Sequence, residues 1–530
     1  MECITVVKNM GDFIMDKSKR ILVLGLDGVD WELLGNWISK GYLPNFKKLL
    51  KEGSFGPLES TIPPLTPPAW TSITTGKNPG KHGIYDFFKM ERGENGWKQS
   101  LCTSLDKKSM ELWDYVENSI VVNLPVSYPP RKINGVMITG MLTPSTDTEF
   151  TYPPELREVI IKRFPNYRFE LNWSRYKGRM QEFIRDLYEM TEERVRLFWY
   201  LFEKDWNLMF FVFVGPDRLQ HILWEDKEMR DYYRYFDSFI VEILDRIKYE
   251  DVDFIIVSDH GFGKVEKIIY INKFLEQEGY LRLRLSGRRK ILGKMGITKE
   301  NLSKVLIKLK LVNVYNKLSP KLVHIIRDAI PGHTSPVYDF DLDTSRAFMV
   351  GFGGIYINDS INYNMTKMEI KEKLENLKDP ETGERVIERV YEKDEIYFGP
   401  FIRKAPDLII LPKEGYTIVQ EAKSKSIIEK SEFRKADHRL YGIFFAWGSD
   451  IKQNNKIENI KVYDVAPTIL HIFGLPIPND MDGRVLVEAF EPDSEPAMRE
   501  PVYVDPSYYS KSEEEKLKAK IRNLKIKGKI

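Results

Sequence analysis

Three separate segments of this chain share one design, an apolar run that ends at an acidic residue. They lie at Arg20 to Asp30, at Asn207 to Asp217 and at Asp251 to Gly263. A continuous apolar run, as opposed to an alternating one, is typical of a strand that is buried on both faces of a parallel sheet. The pattern therefore predicts an α/β fold with a central, mostly parallel sheet.

The first two runs end in candidate ligands. In open α/β sheets, ligands bind at the carboxyl ends of the strands, which is where Asp27 falls. An aspartate after a strand is also a common cap for the next helix, here predicted over residues 31–39. Asp217 and His221 are four residues apart, so on a helix they project from one face and can share a metal ion. A surface contact between the two is the alternative.

The third run leads directly into Asp259 and His260. Adjacent Asp and His side chains at a strand end can both turn toward one ion, and Gly261 lets the backbone turn away. A plain turn rarely requires a histidine at this point. The pair is therefore a specific sign of a metal site.

A different kind of candidate lies in the segment from Ser60 to Asp86. Thr66 is followed by two prolines, which are well tolerated at the first positions of a helix. Thr66 is therefore predicted to be the N-cap of a short helix over residues 69–75, which ends at Gly76. A hydroxyl at this position also lies at the positive end of the helix dipole, where an alkoxide or a phosphoryl group is favoured. Thr66 is thus a cap or a nucleophile.

The last candidate is His438, which precedes an apolar segment at residues 442–447. A single histidine before a strand is usually structural. The full set of candidates at predicted strand ends is Asp27, Thr66, Asp217, His221, Asp259, His260 and His438. Oxygen and imidazole ligands without cysteine suit zinc or manganese better than magnesium. Seven such groups are enough for two ions, and two ions can stabilise the entering and leaving oxygens of an in-line displacement at phosphorus.

The length of 530 residues predicts one large domain with insertions, or two domains. Residues 281–330 contain thirteen Lys and Arg residues against Glu300 and Asp328, whereas the whole chain carries a net charge of +2. We therefore predict a discontinuous catalytic core at residues 20–279 and 336–490, a basic helical insertion at 280–335 and a C-terminal extension at 491–530. The insertion suits a lid over an anionic substrate, a membrane-surface or partner-docking element, or a solvated helical hairpin.

The cysteine content and the hydropathy pattern indicate the compartment. Cys3 and Cys102 are the only cysteines, which is too few for a disulfide framework and suits the reducing cytoplasm. We expect neither a secretory signal nor a membrane span. Nucleic acid is disfavoured as a partner, because the basic segment has little aromatic interleaving. The oligomeric state, including a homo-oligomer, stays open.

The order of the motifs resembles the alkaline phosphatase superfamily, in its type I phosphodiesterase and nucleotide pyrophosphatase branch. The motifs that carry this resemblance are G-L-D-G (25–28), T-P-P-A-W-T-S-I-T-T-G-K-N-P-G-K-H-G-I (66–84), G-P-D-R-L-Q-H (215–221), S-D-H-G (258–261), D-H-R-L-Y-G-I-F (437–444) and D-V-A-P-T-I-L-H-I-F-G-L-P (464–476). The resemblance spans residues 20 to 490. It implies a three-layer α/β sandwich with a central mostly parallel sheet and helical insertions.

The resemblance also implies a two-metal phosphoric ester hydrolase that acts on a small phosphorylated substrate such as a diester or a nucleotide. The two implied metal sites are Asp27, Thr66, Asp259 and His260, and Asp217, His221 and His438. Thr66 would attack phosphorus to give a phosphothreonine, which water would then hydrolyse. The alternatives are a phosphomutase or phosphotransferase of the same superfamily, in which an acceptor hydroxyl takes the phosphoryl group, and a metal-binding scaffold without activity.

One position departs from the nucleotide pyrophosphatase pattern. Three residues after the threonine those enzymes have an asparagine, and this chain has Ala69. Pro67 and Pro68 also lack backbone N–H donors. Other donors must therefore stabilise the phosphoryl oxygens in the transition state. The candidates are the N–H groups of Thr66 and Ala69 and the side chains of Lys81 and His82. The alternative is that Lys81 and His82 only close the loop.

Overall fold

The structure is a computed structural model of the chain, and it describes residues 15, 18–93, 96–284, 340–422 and 424–510. Nearly all of the predicted basic insertion at 280–335 lies outside the described residues. The last twenty residues of the predicted C-terminal extension also lie outside them.

The strands of the described residues belong to one large sheet and several smaller ones. In chain order they are β1 (Arg20–Leu26), β2 (Ser54–Glu59), β3 (Phe88–Gly93), β4 (Gly96–Leu101), β5 (Ser119–Val122), β6 (Gly135–Ile138), β7 (Thr151–Tyr152), β8 (Leu208–Phe213), β9 (Val252–Val257), β10 (Gly261–Tyr270), β11 (Ala347–Val350), β12 (Gly354–Ile357), β13 (Ile387–Glu392), β14 (Leu408–Pro412), β15 (Gly415–Val419), β16 (Ile428–Lys430), β17 (Ala436–Arg439), β18 (Tyr441–Trp447), β19 (Asn455–Lys456), β20 (Ile460–Lys461), β21 (Ile477–Pro478) and β22 (Tyr503–Val504).

The large sheet has the order β19-β2-β18-β9-β1-β8-β5-β6-β7, with β20 also paired to β2. Strands β9, β1, β8, β5 and β6 run parallel to their neighbours in this series, whereas β18 and β7 are antiparallel to theirs. The predicted central, mostly parallel sheet is thus confirmed. All residues of β8 and β9 are buried, as their continuous apolar runs predict.

Helices lie on both faces of this sheet, and others pack against the smaller sheets. Their bounds are α1 (Trp31–Ser39), α2 (Pro44–Glu52), α3 (Thr66–Thr75), α4 (Pro79–His82), α5 (Leu112–Tyr115), α6 (Leu156–Arg163), α7 (Met180–Phe202), α8 (Gly215–Gln220), α9 (Lys227–Ile247), α10 (Ile271–Gln277), α11 (Tyr363–Glu375), α12 (Lys393–Ile396), α13 (Val465–Ile472), α14 (Glu495–Met498) and α15 (Ser507–Ser510). Short 3₁₀ turns are found at Ser104–Asp106, Trp173–Tyr176, Ile402–Lys404, Val462–Asp464 and Val487–Ala489.

Two adjacent residues of β8 show how the layers form. Successive side chains of a strand point to opposite faces of the sheet. Phe210 packs against Trp70 of α3 and Trp113 of α5. Its neighbour Phe211 packs against Phe198 of α7. The sheet is therefore the middle layer of a three-layer α/β sandwich.

A second hydrophobic core lies around the smaller sheets. One has the order β15-β10-β16 with β17 also paired to β10, and the other has the order β11-β12-β14-β13. Helices α10 and α11 pack on this core. The β3–β4 hairpin packs on it as well, since Trp97 of β4 contacts Phe348 of β11. No helix among the described residues combines the length and the apolar character needed to cross a membrane.

The topology brings three distant segments together. Strands β9, β1 and β8 are neighbours and run parallel, so their carboxyl ends meet at one edge of the sheet. The residues that follow these ends are 258–260, 27–28 and 214–217. The candidate ligands predicted from the three apolar runs thus share one location.

Candidate active site

Thr66 is the first residue of α3, and the N-cap is Leu65. The predicted cap was therefore wrong by one residue, because Pro67 and Pro68 mark the start of the helix without distinguishing its cap from its first position. The end was predicted correctly, since Gly76 adopts a left-handed conformation with φ of 68°. The Thr66 hydroxyl lies 3.2 Å from Nε2 of His260 and is buried at the positive end of α3.

The first group of candidate ligands consists of Asp27, Asp259 and His260, all of them buried. Nε2 of His260 lies 3.3 Å from Oδ2 of Asp259 and 3.8 Å from Oδ1 of Asp27. The ligand atoms of this group all lie within 4.8 Å of one another. A single divalent ion fits such a group, with Thr66 beside it.

Neighbouring donors orient these carboxylates. Trp70 Nε1 donates a hydrogen bond of 3.0 Å to Oδ2 of Asp27, and the N–H of Gly28 donates one of 3.2 Å to Oδ1 of Asp259. The helix-capping role that the sequence leaves open for Asp27 belongs to Asp30, which accepts from the N–H of Leu33. Asp27 is therefore free to face the site.

The second group consists of Asp217, His221 and His438. Oδ1 of Asp217 lies 3.1 Å from Nε2 of His438 and 3.5 Å from Nε2 of His221. Asp217 lies within α8 and His221 follows its last residue, so the predicted spacing of one helical turn places both side chains on one face. His438 comes from β17, which pairs with β10 just after the Asp259-His260 segment.

The other ring nitrogens of the second group face backbone carbonyls. Nδ1 of His438 lies 3.0 Å from the carbonyl oxygen of Pro64, and Nδ1 of His221 lies 3.3 Å from that of Ala436. With Nδ1 held in this way, both Nε2 atoms face Asp217. Histidines that ligate a metal commonly have such a contact at the other ring nitrogen. Trp173 stacks on His221 with ring centroids 4.9 Å apart, which further restricts the ring.

Burial and mutual repulsion shift the pKa values of the carboxyl groups. Burial, with the charge of Asp217, raises the pKa of Asp27 to about 7, and burial with the charge of Asp27 raises the pKa of Asp259 well above its usual range. Burial also disfavours the charge of Asp217, but Arg218 and His221 outweigh it and hold the pKa of Asp217 well below its usual range.

The histidines divide in the same way. Burial, together with the charge of His438, holds the pKa of His260 well below its usual range, which favours the neutral imidazole that a metal requires. Burial opposes protonation of His438 as well, but Asp217 and Asp437 outweigh it and raise its pKa. The carboxylates of Asp27, Asp217 and Asp259 thus repel one another, and a bound cation would relieve this repulsion.

The unmet hydrogen-bonding capacity of the site fits two divalent ions. Oδ1 of Asp27 and Oδ2 of Asp259 are buried and accept no hydrogen bond from the described residues, and Oδ2 of Asp217 has Arg218 as its ion-pair partner at 3.1 Å. Buried carboxylate oxygens are normally satisfied, and a cation is the usual exception. The donor set of carboxylates and imidazoles suits zinc or manganese.

Thr66 and the second group open onto a cleft of about 950 Å³, whereas Asp27, Asp259 and His260 are fully buried and do not line it. Thr66, Asp217 and His438 line it together with aromatic side chains that include Trp173 and Phe352. The cleft is large enough for a substrate of nucleotide size. It lies between the central sheet and the smaller sheets that contain β10 and β14.

The predicted substrate-binding residues do not line this cleft. Ala69 is fully buried, and its N–H donates to the carbonyl oxygen of Leu65 within α3. Lys81 forms an ion pair with Asp482. His82 lies 3.0 Å from the hydroxyl of Ser72 through Nε2. The alternative that Lys81 and His82 close the loop therefore fits the structure, and the N–H of Thr66 stays a candidate donor.

Other residues of the site were not anticipated from the sequence. Trp70 and Arg218 occur within the motifs that carry the resemblance, so their position was a usable signal. Glu170 lies beside Arg218, and Asp437 lies beside His221. The two residues of each pair are far apart in the sequence. No local pattern marks those two contacts.

Comparisons with solved structures show the fold. The structure of murine ectonucleotide pyrophosphatase/phosphodiesterase 5 matches with 15% identity and a TM-score of 0.50, over 86% of this chain and 95% of that chain. Phosphonoacetate hydrolase from Sinorhizobium meliloti 1021, in complex with phosphonoformate, matches with 14% identity and a TM-score of 0.54, over 85% of this chain and 94% of that chain. The alkaline-phosphatase-like α/β fold is thus confirmed.

The murine protein has also been solved as an inactive threonine-to-alanine variant in complex with AMP, and that structure matches with 14% identity and a TM-score of 0.50, over 86% of this chain and 95% of that chain. A search of the curated proteins finds no match. A family model described as type I phosphodiesterase/nucleotide pyrophosphatase matches residues 21–440. Since this match covers most of the 530 residues, the chain belongs to the type I phosphodiesterase/nucleotide pyrophosphatase family of the alkaline phosphatase superfamily.

Proposed function

We propose that this protein is a two-metal phosphoric ester hydrolase that uses Thr66 as its nucleophile and acts on phosphodiesters or nucleotide-type pyrophosphate bonds. The observation that carries the proposal is the position of the Thr66 hydroxyl, which lies 3.2 Å from Nε2 of His260 in the first group and lines the same cleft as the second group. Family membership supports phosphoester hydrolysis as the class of reaction. The inactive threonine variant of the murine relative supports the role of a threonine.

Asp27, Asp259 and His260, with Thr66, would hold one ion, and Asp217, His221 and His438 would hold the other. When bound, divalent ions of this kind neutralise the carboxylates, favour an ionised hydroxyl and stabilise charge on phosphoryl oxygens. The neutral form of His260, enforced by burial, leaves its Nε2 lone pair available at the site.

The residues of the chain supply the rest of the reaction. Thr66 Oγ1 attacks phosphorus, the bond to the leaving oxygen breaks, and a phosphothreonine forms. The N-terminus of α3 favours negative charge on Oγ1 before attack and on the phosphoryl group afterwards. Water then attacks phosphorus, which releases the phosphate product and restores the threonine hydroxyl.

The decisive experiment compares Thr66→Ala with Thr66→Ser in metal-loaded enzyme. Thr66→Ala is expected to abolish turnover of a chromogenic phosphodiester, whereas Thr66→Ser keeps a hydroxyl and retains measurable activity. Mass spectrometry of acid-quenched reactions is expected to find phosphate on the peptide that contains Thr66. Undiminished turnover by Thr66→Ala would remove this residue from the mechanism.

The substrate class is tested with a panel of diesters, monoesters, nucleotides and sugar phosphates, each with zinc or manganese. Transfer of the phosphoryl group to an added acceptor alcohol, in place of hydrolysis, would identify a phosphotransferase instead. Elemental analysis tests the non-enzymatic alternative, since fewer than one ion per chain that added zinc or manganese does not restore would indicate a scaffold.

A further inference from the structure

Arg218 follows the candidate ligand Asp217 in α8 and lines the cleft. One terminal nitrogen of its guanidinium lies 3.1 Å from Oδ2 of Asp217. The other lies 3.3 Å from Oε2 of Glu170 and 3.1 Å from the sulfur of Met141. Its positive charge also acts on the carboxylates of Asp27 and Asp259.

The two oxygens of Asp217 have separate partners. Oδ1 faces His221 and His438, and Oδ2 faces Arg218. The guanidinium therefore borders the place where an ion would lie without occupying it. Thr66, the second candidate group and Arg218 all line the cleft, so a ligand bound there can meet all of them.

Arg218 has spare hydrogen-bonding capacity. A guanidinium has five N–H donors in a planar fork, and Nε of Arg218 is buried without an acceptor. Its partner Glu170 has a side chain that is 37% exposed. An ion pair with so exposed a carboxylate contributes only about 0–1 kcal/mol, so a phosphoryl group entering the cleft can replace it.

The other cationic residues of the cleft suit this role less well. Arg434 forms an ion pair with Asp437 and lies over the ring of Trp173. Lys264 is largely exposed and pairs with Glu266. Arg439 lies across the backbone of β10 and donates to the carbonyl oxygen of His438.

On the proposed function, we infer that Arg218 is a further catalytic residue that donates hydrogen bonds to non-bridging oxygens of the phosphoryl group and stabilises them in the transition state. It supplies the contact that Ala69, Lys81 and His82 do not. Arginine fits this task because its fork matches the spacing of two phosphoryl oxygens. No covalent bond to Arg218 forms or breaks, and its charge is the same throughout.

The test compares wild type, Arg218→Gln, Arg218→Lys and the control Lys264→Gln, which removes an equal charge from the rim of the cleft. Turnover of a chromogenic phosphodiester, metal content and the binding of orthovanadate and inorganic phosphate by calorimetry are measured on each metal-loaded protein. Arg218→Gln is expected to lower kcat about 100-fold or more. It should weaken vanadate, which mimics the five-coordinate phosphorus, by a similar factor and keep two ions per chain.

Arg218→Lys should fall between wild type and Arg218→Gln, because lysine keeps the charge without the fork. Lys264→Gln should match wild type. Glu170→Gln, which frees the guanidinium, should bind vanadate and phosphate at least as tightly as wild type. This last variant retains Arg218, so it tests the inference even if Arg218→Gln folds poorly.

Two outcomes would overturn the inference. Unchanged kcat and vanadate affinity in Arg218→Gln would show that Arg218 does not contact the phosphoryl group. Loss of one ion in parallel with activity would make Arg218 a positioning residue for Asp217. If wild type hydrolyses no ester, the proposed function fails, and vanadate binding still decides whether Arg218 contacts a phosphoryl-like ligand.

Discussion

The imidazole rings of His260 and His438 are stacked with their centroids 3.9 Å apart and an interplanar angle of 24°. The two rings belong to different groups of candidate ligands, so the groups are in direct contact. The charge of His438 also lowers the pKa of His260. Cations held by two groups in contact would repel each other, so each would depend on the carboxylates of the site and each group would be sensitive to the other.

The first prediction concerns the number of bound ions. Elemental analysis after dialysis is expected to find two ions in wild type and about one in Asp27→Ala or in His438→Ala, because each substitution removes a ligand from one group only. Chelation of both ions should also lower the melting temperature, since an ion at 100 times its Kd stabilises the folded state by about 2.7 kcal/mol. Two ions retained in both variants would contradict the assignment of ligands.

The second prediction concerns Trp70, whose Nε1 donates to Asp27. Trp70→Phe is expected to weaken binding of an ion at Asp27 by about 10–100-fold, because the indole N–H holds the carboxylate in its orientation. Competition with a fluorescent chelator measures this affinity. The retention of the second ion would show that the effect is local.

Trp113→Phe is the matched control for Trp70→Phe. Both indoles are buried. The ring centroid of Phe210 lies 6.1 Å from that of Trp70 and 6.2 Å from that of Trp113. Nε1 of Trp113 has no hydrogen-bond partner, so its loss removes no such bond. An equal change of metal affinity in the two variants would argue against a specific role of the Trp70 hydrogen bond.

Much of this arrangement follows from local sequence. Helix α1 has the predicted bounds, although its cap is Asp30 and not Asp27. The buried strands follow from their apolar runs, and their carboxyl ends mark Asp27, Asp217 and Asp259. The contacts of Lys81 and His82 were not predictable, because Asp482 and Ser72 reach them only through the packing of α3, α4 and the chain near α13.

The third prediction compares two glycines that have almost the same backbone conformation. Gly28 has φ of 74° and Gly41 has φ of 76°. A Cβ at Gly28 would lie 2.7 Å from the ring of Phe262, whereas one at Gly41 would meet nothing within 4 Å. Gly41→Ala should cost about 1–2 kcal/mol for the left-handed conformation alone.

Gly28→Ala should cost about 1–3 kcal/mol more, because of the steric overlap. The overlap should also shift the N–H of residue 28, which orients Asp259, so the metal content should fall. Urea denaturation and elemental analysis measure the two effects. Equal stabilities of the two variants would show that the space around Gly28 is not restrictive.

The fourth prediction concerns Asp86, whose oxygens accept from the N–H groups of Phe88 and Phe352. Burial raises its pKa from 3.8 to about 7. Between these values the folded protein binds a proton that the unfolded chain does not bind, so the free energy of unfolding falls as the pH rises. The contribution of Asp86 is complete below about pH 4 and is lost as the pH rises through 7, by at most about 1.4 kcal/mol per unit.

Asp86→Asn removes the titrating group, so its stability should fall less steeply with pH than that of wild type. At pH 5 it should be less stable by about 1–3 kcal/mol, because one backbone donor loses its acceptor. Urea denaturation of both proteins at pH 5 and pH 7.5 gives the two slopes. Parallel slopes would show that Asp86 does not titrate in this range.

The origin of His438 has a consequence for biosynthesis. Six of the seven proposed centre residues are present once the first half of the chain has been made, but His438 comes from β17, near the C-terminal end of the matched region. The second group is incomplete until β17 pairs with β10. On the proposed function, a nascent chain that has not reached β17 would therefore lack the complete second group and the activity that depends on it.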